Sequence, residues 1–401
     1  MPAKKRAPAT PARPDALLLL DGHSLAYRAF YALPPELATK SGQPTNAVYG
    51  FTSMLIKLLG DYGTERVGVA FDVGRPTIRL AEYADYKAGR KETPDAFRSQ
   101  LALLREVLAV LEIPVFGVPD HEADDVLATL ARCAEEAGIE AIIVTADRDA
   151  LQLVRPGVSV LFNRRGVSDI VMYDRDAVTE RFGIPPERYV EYAAIKGDPS
   201  DNLPSVPGIG EKTASRLIAE HGSIEGVYEN LDSLPPKTAA ALREARDNVF
   251  RNKRLALLID DLPLNVDPQS IRMGEWNLDR IFELFNSLEF RSLYERLEGV
   301  RRPPSTTADT FVARTTTDPE ALLARVRETG RAGVAIPAGG DGIAVAAADG
   351  EAVWLATRGA AAAVLAAVPV VAHDVKALLR AGVDPATPWL DTMLAAYLLD
   401  P

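Results

Sequence analysis

Cysteine is almost missing from this chain of 401 residues. Cys133 stands alone, which excludes an internal disulfide and fits a reducing compartment. It falls in an apolar helical pattern, so a buried structural thiol is expected. Histidine is nearly as scarce: four scattered residues give no zinc spacing. Long apolar runs are missing too, and no segment is long enough to span a bilayer. The run ALLLL that follows Lys4, Lys5 and Arg6 is too short for a secretory signal and ends in Asp21, so that reading is rejected. A cytoplasmic location is expected. Positive charge is in deficit, with 45 Lys and Arg against 56 Asp and Glu and a net charge of -11. As a sum this argues mildly against nucleic acid, but the distribution of charge matters more.

What is present points to two or three domains of ordinary soluble composition. Residues 1–14, MPAKKRAPATPARP, are basic and proline-rich and read as a disordered tail. Three apolar runs follow, ALLLLDG, RVGVAFDVG and IEAIIVTADRD, each flanked by a helical pattern. Alternating strand and helix indicates a parallel α/β sheet. Each run ends on an aspartate: Asp21, Asp72 and Asp147. A single terminal aspartate is a common turn former. Three on separate strands would converge on one rim if the strands are neighbours, and ligands of open parallel sheets bind at that rim.

Between the second and third runs, HEADDVLATLARCAEEAG has helical spacing and begins with Glu122, Asp124 and Asp125. The helix dipole accounts for one or two acids there. With Asp149 beyond the third strand, and Asp198 and Asp201 in KGDPSDNLPSVPGIGEKTA, nine acids occupy strand ends, helix starts or turns. Packed together they would repel and many would protonate unless hard cations held them. Mg²⁺ and Mn²⁺ prefer such oxygen donors, and two ions about 3.5–4 Å apart clamp a phosphodiester. The plainer alternative is a set of solvated surface acids.

The turn PGIGEKT is neither of the common glycine loops. Glu211 separates Gly210 from Lys212, which excludes a Walker A loop, and Thr213 stands where a dinucleotide fingerprint needs a glycine. What remains is helix, turn, helix, in which the amides of Gly208 and Gly210 could hold a nucleic-acid phosphate without reading a base. An ordinary tight turn is the alternative. Basic and aromatic residues interleave in RPTIRLAEYADYKAGRKETP, with Arg79, Lys87 and Arg90 beside Tyr83 and Tyr86. Following directly on Asp72, this segment should overhang the acidic rim and suit phosphates and unstacked bases. Tyr27 and Arg28, just past Asp21, are plausible additions.

The stretches DGHSLAYRAF, AFDVGRPTIR, YADYKAGR, HEADDVLATLA, TADRDALQL and KGDPSDNLPSVPGIGEKTA, in that order, resemble the 5′ nuclease domain of the flap endonuclease family. In bacteria that domain forms the N-terminal part of DNA polymerase I. The resemblance covers residues 15–300 and implies a PIN/FEN-like parallel sheet with a helix-hairpin-helix around 203–220. It also implies Mg²⁺- or Mn²⁺-dependent cutting of 5′ flaps, nicked duplex and RNA primers on DNA, by a monomer. By this analogy Asp21, Asp72, Glu122, Asp124, Asp125, Asp147, Asp149, Asp198 and Asp201 hold metal, some through water. Lys87 and Arg90 contact the scissile phosphate beside Asp124 and Asp147, Arg79 assists, and Tyr27 stacks on an unpaired base. Gly208 and Gly210, with Lys212 and Thr213, grip the duplex backbone around a bound K⁺.

A linker is expected at 301–309, RRPPSTTAD. Residues 310–401 resemble the proofreading-exonuclease-like domain that follows in the same proteins, a ribonuclease-H-like α/β unit. Strands are expected in GVAIPAGGDGIAVAAADGEAVWLA, and helices at RGAAAAVLAAV, HDVKALLRAG and WLDTMLAAYLL. The family's Asp-x-Glu is replaced by VAIPAGG, and its Asn-x-Lys-x-Asp by Asp374, Lys376 and Leu378; only Asp391 survives. This unit is therefore expected to be inactive, and incomplete at Asp400-Pro401, with no polymerase domain in the chain. Two other readings stay open: a non-catalytic DNA-binding scaffold, and a related nuclease acting on RNA.

Overall fold

The computed structural model describes residues 12–89 and 93–301, two single helical positions at 324 and 327, and strands between 312 and 391. The chain divides into two compact units at Arg301/Arg302.

The first unit is built on a six-stranded sheet. Its strands are β1 (Leu17–Asp21), β2 (Val67–Ala70), β3 (Val115–Phe116), β4 (Ala141–Thr145), β5 (Val158–Arg165) and β6 (Asp169–Tyr173). Their order is β3-β2-β1-β4-β5-β6, and only β6 runs antiparallel, against β5. The apolar run of β1 is fully buried because both faces are covered. Leu17 and Leu19 pack on one side with α5 (Ala123–Glu136), while Leu18 and Leu20 pack on the other with α1 (Gly22–Ala32), α2 (Asn46–Tyr62) and α4 (Asp95–Val110). The short α3 (Thr77–Glu82) lies between β2 and α4 in sequence. The three expected strands are β1, β2 and β4, and they are neighbours. The tail is anchored at its end, where Arg13 donates its amide to the Tyr62 carbonyl at 2.8 Å and pairs with Glu140; residues 1–11 lie outside the described set.

Beyond β6 the unit is helical: α6 (Arg175–Phe182), α7 (Tyr189–Lys196), α8 (Glu211–His221), α9 (Ile224–Glu229), α10 (Pro236–Glu244), α11 (Arg246–Ala256), α12 (Leu278–Ser287) and α13 (Arg291–Arg301). The connection from α7 to α8 carries the PGIG turn. Gly197 opens it at φ +72°, and a Cβ there would lie 2.6 Å from the Ser205 amide nitrogen. Only glycine lets the loop fold back this tightly. A two-way backbone bridge between Asp198 and Leu203 (3.0 and 2.8 Å) then closes it.

The second unit contains β7 (Val312–Thr315), β8 (Ala332–Ala335), β9 (Ile343–Ala348), β10 (Glu351–Leu355), β11 (Val370–Ala372) and β12 (Pro388–Asp391), ordered β12-β11-β8-β9-β10-β7. β8, β9 and β10 form antiparallel pairs, while β11 and β12 join in parallel. A meander extended by parallel strands is the order of a ribonuclease-H-like sheet, here with β7 added at one edge. The first strand of the meander, β8, reads AGVA and carries no carboxylate. Trp389 to Asp391 are in β12, not in the helix expected from Trp389, and the remainder of that expected helix lies outside the described residues. Asp374, Lys376 and Leu378 lie outside the described residues, as does the linker after Arg301, which itself ends α13.

Candidate metal and nucleic-acid site

The carboxyl ends of β2, β1 and β4 lie side by side, and each delivers an acid to one rim. Asp21 is the last residue of β1 and the N-cap of α1, accepting the Ser24 amide at 2.9 Å. Its other oxygen accepts the Thr145 hydroxyl at 2.8 Å. Ser24 Oγ stands 3.2 Å from Thr145 Oγ1, and Thr145 Oγ1 accepts the Asp147 amide at 3.0 Å. Ser24 and Thr145 thus hold Asp21 in register with the turn after β4, a role that sequence reasoning missed; the signal was a hydroxyl residue near two of the three strand-end aspartates, in DGHS and VTAD. Asp72 accepts the Ala123 amide at 2.8 Å and so ties the end of β2 to the start of α5.

At that start Glu122 is the N-cap and Asp124 lies in the first turn. Asp147 accepts the amide of Asp149, which opens a 3₁₀ turn. Asp198 and Asp201 come from the loop behind Gly197. The electrostatics show how closely these groups crowd. Burial pushes Asp21 up to about 6, opposed by the Ser24 amide and reinforced by Asp72. Burial also raises Asp124 well above the ordinary range, with Asp21, Asp147 and Glu122 adding repulsion and Lys87 opposing it. Asp149 is raised in the same way by burial and then by Asp147, Asp201 and Asp198. Asp147 is raised too, again chiefly by burial.

The basic segment reaches this rim by turning inward. Lys87 has φ +59° and donates its amide to the Asp201 carbonyl at 3.1 Å. Its ammonium pairs with Glu122 and lies 3.7 Å from Asp201. Tyr86, which composition marked as a stacking surface, is instead buried and donates its hydroxyl toward Asp201 (2.8 Å) and Glu122 (3.0 Å). Tyr83 lies under the Arg251 guanidinium at 4.0 Å. Arg90 lies outside the described residues.

Two expected site residues are elsewhere. Asp125 does not face the rim: it is completely buried, and both oxygens take the Arg79 fork at 2.7 Å. The Ile259 amide adds a bond at 3.0 Å. Burial alone would raise this carboxyl, but Arg79 outweighs it and the net shift is downward. Arg79 is held by the same pair, with Glu122 also 3.2 Å from it, and is 6% exposed, so it offers no surface to a duplex. Cys133 is half-buried rather than buried.

Tyr27 lies on the exposed side of α1 with its ring against Tyr31 (4.8 Å) and Phe97 (5.4 Å), and Arg28 beside it is half-buried. Gly208 (φ +77°) and Gly210 are exposed at the N-terminus of α8, with nothing within 4 Å of a Cβ position. Lys212 is exposed and Thr213 half-buried in its first turn. Such a helix start favours an anion.

Among the described residues no three acidic, histidine or cysteine side chains stand at ligating distance of one point. The rim is a ring of single carboxylates, which suits a hard cation that keeps part of its water shell. Its donors are all oxygen, and their mutual repulsion and desolvation call for added positive charge.

Residues 16–183 match the family described as 5′-3′ exonuclease, N-terminal resolvase-like domain, and residues 184–279 its C-terminal SAM fold. DNA polymerase I of Mycobacterium bovis is 43% identical over 433 aligned positions, covering 98% of this chain and 47% of that protein. DNA polymerase I of Mycobacterium leprae is 49% identical over 282 positions, covering 70% of this chain and 31% of that one. The chain spans about half or less of the length of these curated relatives. A zinc-bound T5 5′-exonuclease structure matches with a TM-score of 0.50 at 21% identity, over 71% of this chain and 98% of that one. The catalytic core of Rad2 in complex with DNA substrate gives 0.50 at 16% identity, over 72% and 92%. These two likenesses establish the fold. Among the described residues no helix is long and apolar enough to cross a membrane.

Proposed function

Since the chain belongs to the 5′-3′ exonuclease family found in DNA polymerase I, we propose that its first unit is a divalent-metal-dependent, structure-selective 5′ nuclease. It would act on 5′ flaps, nicked duplex and RNA primers paired to DNA, as a cytoplasmic monomer. The single observation that carries this reading is the rim of mutually repelling, desolvated carboxylates at the ends of β2, β1 and β4, faced by Lys87. Asp21, Asp72, Glu122, Asp124, Asp147, Asp149, Asp198 and Asp201 would hold two or more Mg²⁺ or Mn²⁺ ions. When bound, such ions lower the pKa of water and stabilise charge on the attacking and leaving oxygens.

The protein's own groups supply the rest. Ser24 and Thr145 fix the orientation of Asp21 and of the turn carrying Asp147. Lys87, with Arg90, would place positive charge against the scissile phosphate as it becomes more negative. Tyr27 would stack on an unpaired base, and the α8 start, through Gly208, Gly210, Lys212 and Thr213, would grip the duplex backbone, with K⁺ as a candidate bridging ion there. The second unit would be catalytically silent, because β8, the first strand of its meander, lacks acids.

The test is cleavage of a 5′-labelled flap with and without Mg²⁺, mapping the cut. A metal-dependent cut near the flap junction supports the reading. Tight flap binding with no cut at any metal concentration would leave a DNA-binding scaffold, and equal cutting of an RNA duplex would shift the substrate class.

A further inference from the structure

The segment from the end of α11 to Leu262 carries no residue of the rim, yet it bonds to α3, to α5, to the 3₁₀ turn after β4 and to both sides of the Gly197 loop. Arg79, on α3, donates its fork to Asp125 of α5 and its Nε to the Leu255 carbonyl at 3.1 Å. Asp125 in turn accepts the Ile259 amide, and Thr129, one helical turn on, accepts the Leu262 amide at 3.3 Å. Gln152 donates to the carbonyls of Asp149 (2.8 Å) and Ala256 (3.0 Å) and accepts from the Leu258 amide (3.1 Å). Further up α11, Asn252 donates to the carbonyls of Ala194 (3.1 Å) and Pro204 (2.8 Å), on either side of the Gly197 loop. Leu255 packs with Tyr86 and Leu203 in one small apolar cluster.

We propose that residues 252–262 form a positioning strap that sets the α3–Lys87 segment, the α5 acids and the Asp198–Asp201 loop in mutual register, with the Arg79–Asp125 pair as its buried centre. On this account Arg79 and Asp125 are positioning residues. They act through Tyr86, Lys87 and Glu122, and touch neither metal nor DNA. The physical reason is economy of contacts. Asp125 has both oxygens engaged by Arg79 and by the Ile259 and Glu122 amides, leaving no lone pair directed at the rim. A bidentate fork fixes orientation as well as distance, which a lysine could not do.

The activity arm of the test rests on the nuclease reading; the other arms do not. In the full chain, Asp125→Asn should lower hydrogen-exchange protection of the Leu258, Ile259 and Leu262 amides at least tenfold, and unchanged protection overturns the strap. Titration with Mn²⁺ alone should give Asp125→Asn the wild-type number of ions, with affinity within about threefold; a lost ion makes Asp125 a ligand and overturns the proposal. Arg79→Met should leave the salt dependence of flap binding unchanged, whereas a slope reduced by about one makes Arg79 a phosphate contact.

Measured well below the melting temperature, both variants should lose single-turnover rate about 10- to 100-fold with flap affinity kept. A rate left at wild type would reduce the pair to a purely structural role. If either single variant does not fold, the apolar replacement Arg79→Met with Asp125→Leu carries the same arms. It should recover the melting temperature without recovering the rate, and recovery of both overturns the proposal. Failure of the wild type to cut the flap removes the nuclease reading alone, since the exchange and Mn²⁺ arms still decide the strap.

Discussion

Two acidic regions share the start of α5 and differ by one residue of sequence. Asp124 faces the rim, where burial and neighbouring carboxylates raise it well above its ordinary range. Asp125 faces the interior, where the Arg79 fork holds it below. The same residue type on the same helical turn therefore meets opposite fields. The rim's carboxylates outnumber the cations that face them, Lys87 and, at Glu122, Arg79, and the excess repulsion is a cost to stability that makes the rim a site for added cations. The interior pair is neutralised within the fold, where the bidentate fork fixes its orientation. Negative charge in excess of its partners marks the place for a ligand; charge that is fully paired marks the scaffold.

The strongest way to break this comparison is to exchange the fates of the two residues. Asp124→Asn should cost on the order of a thousandfold in metal-dependent cleavage while leaving the melting temperature equal to or above that of the wild type without metal, because a repelling charge is removed. Asp125→Ala should do the reverse in stability, since it removes both oxygens of the Arg79 fork and leaves the buried guanidinium only Glu122 at 3.2 Å, at a cost of about 3 kcal/mol. Chemical denaturation of both variants in EDTA checks the pair. If Asp124→Asn destabilises as much as Asp125→Ala, the two regions are not electrostatically distinct.

The next largest effect is a dependence on pH. Burial pushes Asp21 up to about 6 from its ordinary 3.8, and Asp124, Asp147 and Asp149 shift the same way. A carboxyl raised on folding contributes stability that is fully present below its unfolded pKa and lost as the pH rises through its folded value. Without metal, stability should therefore fall between about pH 4 and 7, by about 3 kcal/mol for Asp21 taken alone. Asp125 contributes with the opposite sign, losing stability only in stronger acid. Mg²⁺ should restore the loss, most at neutral pH. A melting temperature in EDTA that stays flat or climbs from pH 5 to 7 would contradict the raised carboxyls.

These particulars also show what the sequence could express. The strand-end aspartates were legible because a fully buried parallel strand is an unbroken apolar run, and its end is where polarity returns. Neighbouring β1, β2 and β4 turned three such ends into one rim. The two-residue β3 and the half-buried β6 have no such run and left no trace. Asp125 was misassigned because its spacing from Glu122 is helical, while its partner Arg79 lies 46 residues away and only the fold brings them together. Tyr86 was misjudged for a related reason: local composition cannot distinguish a ring open to bases from one turned in toward Glu122 and Asp201.

Gly197 provides the finest division, within the rim itself. Asp21, Asp72 and Asp147 sit at strand ends fixed by the sheet, whereas Asp198 and Asp201 depend on one loop that closes because Gly197 has φ +72° and no side chain. In Gly197→Ala the new Cβ would fall 2.6 Å from the Ser205 nitrogen and 2.8 Å from the Leu203 carbonyl oxygen, contacts that only backbone movement can relieve. The left-handed backbone adds strain of about 1–3 kcal/mol. The loop should open, carrying Asp201 away from Tyr86 and Lys87 while the sheet-borne acids stay in place. Mn²⁺ titration should then show one weakened ion and one near its wild-type affinity. A uniform loss across all ions would mean that the rim moves as one body, and that the strand ends and the loop are not separate supports.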